Sequence, residues 1–158
     1  LENKMEKKLM QFKKKDIFLR EQEEDENTQS ENNESKSSSG FKDMVSILLH
    51  SQTQVHIFHL QTKSYSEHKA LQGYYEGIDA LVDGLIESYQ GKYDVITQYN
   101  SIKNEDYKSN EQIIKYFKAL DTMIEKNRKG VKESFIQNQI DTVQELINST
   151  VYKLRFLK

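Results

Sequence analysis

Four runs of apolar residues, each spaced by threes and fours, begin at Phe41 and extend almost to the end of the chain. That period is one face of an α-helix. The first run, Phe41, Val45, Leu48, Gln52, Val55 and His59, predicts a helix over about 41–61 and places two polar side chains on its apolar line. A second helix opens at a capping box, Ser64 to Glu67, in which the hydroxyl and the carboxylate each satisfy an amide that the first turn leaves unpaired. Its apolar line is Leu71, Tyr75, Ile78, Val82, Leu85 and Tyr89, and Gly91 predicts its end because glycine takes the left-handed closing conformation at least cost. The third follows Ser109 or Asn110, uses Ile113, Ile114, Phe117, Leu120 and Ile124, and stops by Gly130. The fourth uses Ile136, Ile140, Val143, Ile147, Val151 and Leu154. Only a short turn separates the first two helices, so they are antiparallel neighbours.

The connection from Lys92 to Lys108 is long for a bundle loop, and it carries Tyr93, Val95, Ile96, Tyr99, Ile102 and Tyr107. A long, partly apolar crossover between the second and third helices lets those two run parallel, as in ferritin-like bundles. The expected fold is therefore all-α, a ferritin-like four-helix bundle with a long crossover. A short helix is expected within the crossover, covering a subunit contact.

Charge divides the chain further. Residues 1–20 carry seven Lys/Arg against three acids, a local +4, and residues 21–36 carry seven acids against one lysine, a local −6. The remainder holds fifteen of each sign, so the net charge of −2 hides a neutral body behind a two-signed tail. The stretch from Glu21 to Gly40 is almost free of apolar residues and too polar to offset its ordering entropy. Residues 1–40 are expected as a largely disordered extension, and residues 41–158 as the bundle. Within the arm, Met5, Leu9 and Phe12 recur at helical spacing among lysines, which suits a docking helix, a basic arm for nucleic acid or a frayed end. The chain has no cysteine, which removes disulfides and thiolate metal sites together, and its lack of proline suits a helical fold. It shows no membrane-spanning run and no signal peptide, so a soluble, cytoplasmic protein is expected.

Candidate chemistry lies between His56 and Glu87. His56, His59 and His68 precede a carboxylate stripe in which Gln72, Glu76, Asp79, Asp83 and Glu87 step by four, three, four and four. Imidazole and carboxylate suit iron where no thiolate is offered. Asp83 and Glu87 stand out because residues four apart present two carboxylates on one helical ridge. At 1.5 Å per residue, His68 and Asp83 lie roughly 22 Å apart, too far for one ion. If these residues share a site, the histidines come from one subunit and the carboxylates from another lying antiparallel to it. His50 falls on the other side of the first helix and is expected to be exposed. Tyr65 and Tyr75 lie close enough in sequence to take part in electron transfer. The chain has no Gly-rich phosphate loop, HExxH or ExxH motif, which argues against a diiron site inside one bundle.

These residues resemble the Dps branch of the ferritin superfamily, and more closely its divergent phage-encoded members. The resembling pattern is His56, His68 twelve later, Asp83 fifteen after that, and Glu87 four further on. His59-Leu60 is the other candidate for the first histidine, and the resemblance leaves His56 and His59 both open. One commonly acidic family position is Gln72 here. The resemblance implies Fe(II) oxidation at a site shared across a two-fold axis, with His56 or His59, His68, Asp83 and Glu87 as ligands. It also implies dimers through the first two helices and a closed Dps-like shell, in a host cytoplasm or a virion. Two other readings stand beside it: a viral or virion-associated structural bundle without oxidase activity, and an oligomeric module that uses its basic arm for nucleic acid or an acidic partner. DNA binding is the lesser expectation, because the acidic stretch competes for the arm.

Overall fold

The structure, a computed structural model, describes residues 39–157. Expectations for the basic arm and acidic stretch lie outside the described residues. Helix α1 spans residues 39–61, α2 Tyr65–Lys92, α3 Asn110–Asn127 and α4 Ser134–Phe156, with a 3-10 turn at Arg128–Gly130. Three residues join α1 to α2. Phe41 stacks on Tyr89 at one end of this pair, with ring centroids 3.7 Å apart, and His59 stacks on His68 at the other, so the two run antiparallel. Along α4, Gln139 bonds Ser88 while Leu146 lies against Gly77, which sets α4 antiparallel to α2. Helix α3 starts where Asn110 bonds Glu67 and ends where Asn127 approaches Gly40. It is therefore parallel to α2, and the molecule is an all-α four-helix bundle of the ferritin-like kind.

That topology dictates the form of the crossover. Residues 93–109 must retrace most of α2, roughly 39 Å at 1.5 Å per residue. Seventeen residues wound as a helix would cover only about 26 Å, whereas an extended chain covers about 56 Å. Accordingly, the expected short helix is absent among these residues. Ile96, Ile102 and Tyr107 are partly buried against the core, at spacings no helix face would give. The crossover's polar groups are taken up by a stripe on α1: Asn100 bonds Asp43 and Ser46, Asn104 accepts from His50, Glu105 pairs with Gln54, and Tyr107 N–H donates to Gln61. The Gln54 amide meets both backbone groups of Glu105, each at 2.7 Å. His50, expected free at the surface, is thus a crossover tether.

The core follows the predicted lines with specific shifts. Tyr74, not Tyr75, is the fully buried tyrosine of α2, and Met44, Phe58 and Ala70 join the core. Ser51 and Thr150 are buried where Gln52 and Val151 were expected. The reason is polar satisfaction: Tyr74 and Ser51 hydroxyls lie 2.8 Å apart, and Ser51 donates to the Leu48 carbonyl at 2.6 Å. With the serine proton so used, Tyr74 donates to Ser51. The helix ends also differ, because no glycine among the described residues takes a positive φ. Helix α2 passes through Gly91 to Lys92. After α3, the amide of Gln137 caps the Arg128 and Val131 carbonyls, doing the work expected of Gly130.

Two outcomes test this account. Gln54→Leu leaves both Glu105 backbone groups unpaired and should cost about 1–3 kcal/mol, with faster hydrogen exchange at the Glu105 amide. Tyr74→Phe should cost about 1 kcal/mol by chemical denaturation. Burial also holds the Tyr74 and Tyr116 phenols well above their ordinary value of 10.0. Unfolded phenols lose their protons near pH 10, so stability is full below about pH 10 and falls above it. An alkaline melt of Tyr74→Phe should show less of that fall than the wild type.

Candidate functional site

The short α1–α2 turn brings three histidines to one end of the bundle. His59, 6% exposed, closes α1, while half-buried His68 sits in the first turns of α2. His59 Nδ1 donates to the His68 carbonyl at 2.9 Å, and His68 Nδ1 donates to the His59 carbonyl at 3.1 Å. Their rings stack with centroids 3.6 Å apart, 25° from parallel. One half of this clasp has a local cause: α1 ends at residue 61, so the His59 carbonyl belongs to the last turn, which lacks helical partners. The His68 ring caps it.

The clasp fixes chemistry as well as structure. A carbonyl only accepts, so both rings carry a proton on Nδ1, and in the neutral imidazole the lone pair is then on Nε2. A backbone carbonyl orienting the remote nitrogen is the usual support of a metal-binding histidine. Rings so nearly parallel do not aim in-plane lone pairs at one point about 2 Å from both nitrogens, so His59 and His68 as they stand do not chelate one ion together. His56, one turn earlier and exposed, stacks on Tyr75 at 4.2 Å and lies 5.8 Å from His59.

Asp83 and Glu87 are exposed on α2, a turn apart and far along the helix from His68. The structure thus assembles His56, His59 and His68 but leaves the two carboxylates elsewhere in the same chain. Among the described residues, no group of three or more metal-ligating side chains is close enough to hold an ion. Gln72 is engaged along α2, accepting from Lys69 and donating to Glu76, each at 2.7 Å.

Two residues have roles that their sequence positions did not announce. Glu67, expected to close the capping box, leaves that task to Ser64, whose hydroxyl accepts from the Glu67 amide at 3.4 Å. Its carboxylate instead accepts from Thr62, Tyr107 and Asn110, tying the α1–α2 turn, the crossover and α3 together. Burial raises the Tyr107 phenol above its ordinary range, and donation to the Glu67 carboxylate adds to that. Tyr75, read as core, lies against His56 face to face and against His59 edge to face at 5.0 Å. Contacts between residues forty apart leave no local signal; Tyr75 had one in its place seven after His68.

Residues 59–154, more than half of the chain, match the family of unknown function DUF5856, and the protein belongs to that family. No curated protein and no solved structure matches it. The matched stretch contains His59, His68, Asp83 and Glu87, with α2, α3 and most of α4. Among the described residues no helix is long and apolar enough to cross a membrane.

The clasp makes a direct prediction. Nitrogen-15 NMR should find neutral His59 and His68 both as the Nδ1–H tautomer; an Nε2–H form at either position would show that its carbonyl bond is absent in solution.

Proposed function

We propose that this protein binds and oxidises Fe(II) at a site shared by two copies of the chain. The reciprocal Nδ1–carbonyl bonds of His59 and His68 carry this reading, because they are the support that histidine ligands receive at metal centres. His56 with His68, or His59 with its ring turned out of the stack, holds the substrate ion from one copy, and Asp83 and Glu87 approach from an antiparallel neighbour. The carboxylates offset the charge that grows as each Fe(II) gives one electron to an oxidant in solution. On α1, Leu49, Thr53, His56 and Leu60 are all exposed and step by four, three and four. This stripe suits a dimer through α1 and α2, and repeated dimers suit a closed shell. The compartment that fits is a cytoplasm or a virion.

A structural reading also has an observation in its favour. The histidine clasp satisfies its own Nδ1 protons and caps α1 without any ion, as a bundle that has kept the fold without oxidation would. DNA binding through the basic arm is the lesser proposal, tested by gel shift of the full chain against one starting at Phe41.

Complementation separates iron chemistry from structure. His68→Ala and Asp83→Ala chains should each lose Fe(II) binding and oxidation. In a random mixture about half of the dimers are mixed and each regains one of its two sites, so about a quarter of the binding should return. No recovery in verified mixed dimers would count against a shared site. Glu87→Gln should slow oxidation, whereas His50→Ala, which removes a crossover tether, should not.

A further inference from the structure

Asparagine followed by serine occurs twice among the described residues, at Asn100-Ser101 in the crossover and at Asn148-Ser149 in α4. Such a pair is a self-contained reactant. The serine's backbone nitrogen gives up its proton and attacks the asparagine Cγ, the Cγ–Nδ2 bond breaks with loss of ammonia, and water opens the cyclic imide to aspartate or isoaspartate. The attack needs an amide free of hydrogen bonds and a backbone that can turn it toward Cγ. In α4 the Ser149 amide is locked into the helical ladder. The Ser101 amide makes no hydrogen bond among the described residues, and both Asn100 and Ser101 are exposed and outside any helix. Asn104, the crossover's other asparagine, precedes a bulkier residue whose amide is held: the Glu105 N–H donates to Gln54 at 2.7 Å.

We propose that Asn100 is a site of spontaneous deamidation, and that its conversion releases the first half of the crossover from α1. Asn100 carries two of the crossover's bonds to that helix: its Nδ2 donates to Asp43 at 2.8 Å, and its backbone N–H donates to the Ser46 hydroxyl at 3.1 Å. Conversion replaces the donating amide with a carboxylate, so a second negative charge stands where Asp43 had a hydrogen bond. The backbone just before it is already strained, with Gln98 in the left-handed region at φ 59°. Release lets that residue relax. The second half stays clasped, because Asn104, Glu105 and Tyr107 keep their own bonds to α1. The bond to Asp43 that conversion destroys also slows conversion, since the amide is fixed until the crossover opens locally. Loss of ammonia makes the change one-way, so each copy of the chain carries a clock set by the opening of its own crossover. Iron has no part in this chemistry.

The full chain, aged at mildly alkaline pH and mapped by peptide mass spectrometry, should show amide-to-acid conversion at Asn100 and an intact amide at Asn148. Aged in denaturant, it should convert at both. Asp43→Ala should speed conversion at Asn100 about tenfold, the worth of the lost hydrogen bond. The release is read separately, by hydrogen exchange: Asn100→Asp should raise exchange at the residue-100 amide about tenfold and leave the Tyr107 amide unchanged. Asp43→Asn added to Asn100→Asp restores a donor across the pair and should return exchange to the wild-type rate. Conversion at Asn148 as fast as at Asn100, or none at Asn100 by the time the denatured chain has converted, overturns the site. Unchanged exchange in Asn100→Asp, no rescue by Asp43→Asn, or no acceleration by Asp43→Ala overturns the coupling to Asp43 and the release with it.

Discussion

Two parallel helices joined in sequence must be linked by a chain that travels back along them, and the rest of this molecule is arranged around that constraint. The link here has seventeen residues and lies extended. Extended chain off a sheet has no internal partners for its amides and carbonyls, so they must be met from outside. Helix α1 meets several of them with Ser46, Gln54 and Gln61, while Asp43 and His50 on the same side hold the Asn100 and Asn104 side chains. The helix therefore has three faces: one in the core, one holding the crossover, and one, through Leu49, Thr53, His56 and Leu60, turned outward. A helix with two engaged faces shows a blurred amphipathic pattern.

The histidine end benefits from the same arrangement. Glu67 draws Thr62, Tyr107 and Asn110 to the end of the bundle where His59 and His68 meet. The crossover's last residues and the start of α3 are thereby anchored close to the clasp. Rigid backbone on both sides is what allows two imidazoles to keep such specific partners. The carboxylates Asp83 and Glu87 have no comparable anchorage and stand on an open helix face.

Much of this was legible in the sequence, for reasons that vary with the element. Four helices and the parallel second and third follow from apolar period and loop length, which are local quantities. The core line of α2 was nearly right but slid from Tyr74 to Tyr75, because period alone cannot see that Ser51 waits for the Tyr74 hydroxyl. The stop at Gly91 came early, since α2 runs on to Lys92, whereas helical structure does end at Gly130, capped there by the Gln137 side chain and not by a left-handed glycine. At the candidate site, His56, His59 and His68 were found by type and spacing, and the hairpin brings them together as nearness in sequence implies. The crossover tethers were invisible. They join residues some fifty apart, mostly through neutral amides and a hydroxyl, and nothing in the composition of either segment marks the other.

The histidine clasp also bears on how the chain folds. Its two bonds span nine residues, whereas those tying the crossover to α1 span between 46 and 57 wherever Asn100, Glu105 or Tyr107 takes part. Closing a short loop costs less entropy than closing a long one, so the α1–α2 hairpin can fasten its turn before the crossover has found its course. Once fastened, it presents the polar stripe of α1 as a ready track. Loop-closure entropy thus favours assembly from hairpin to strap, and it makes the last-laid segment the one expected to lift first when the bundle breathes.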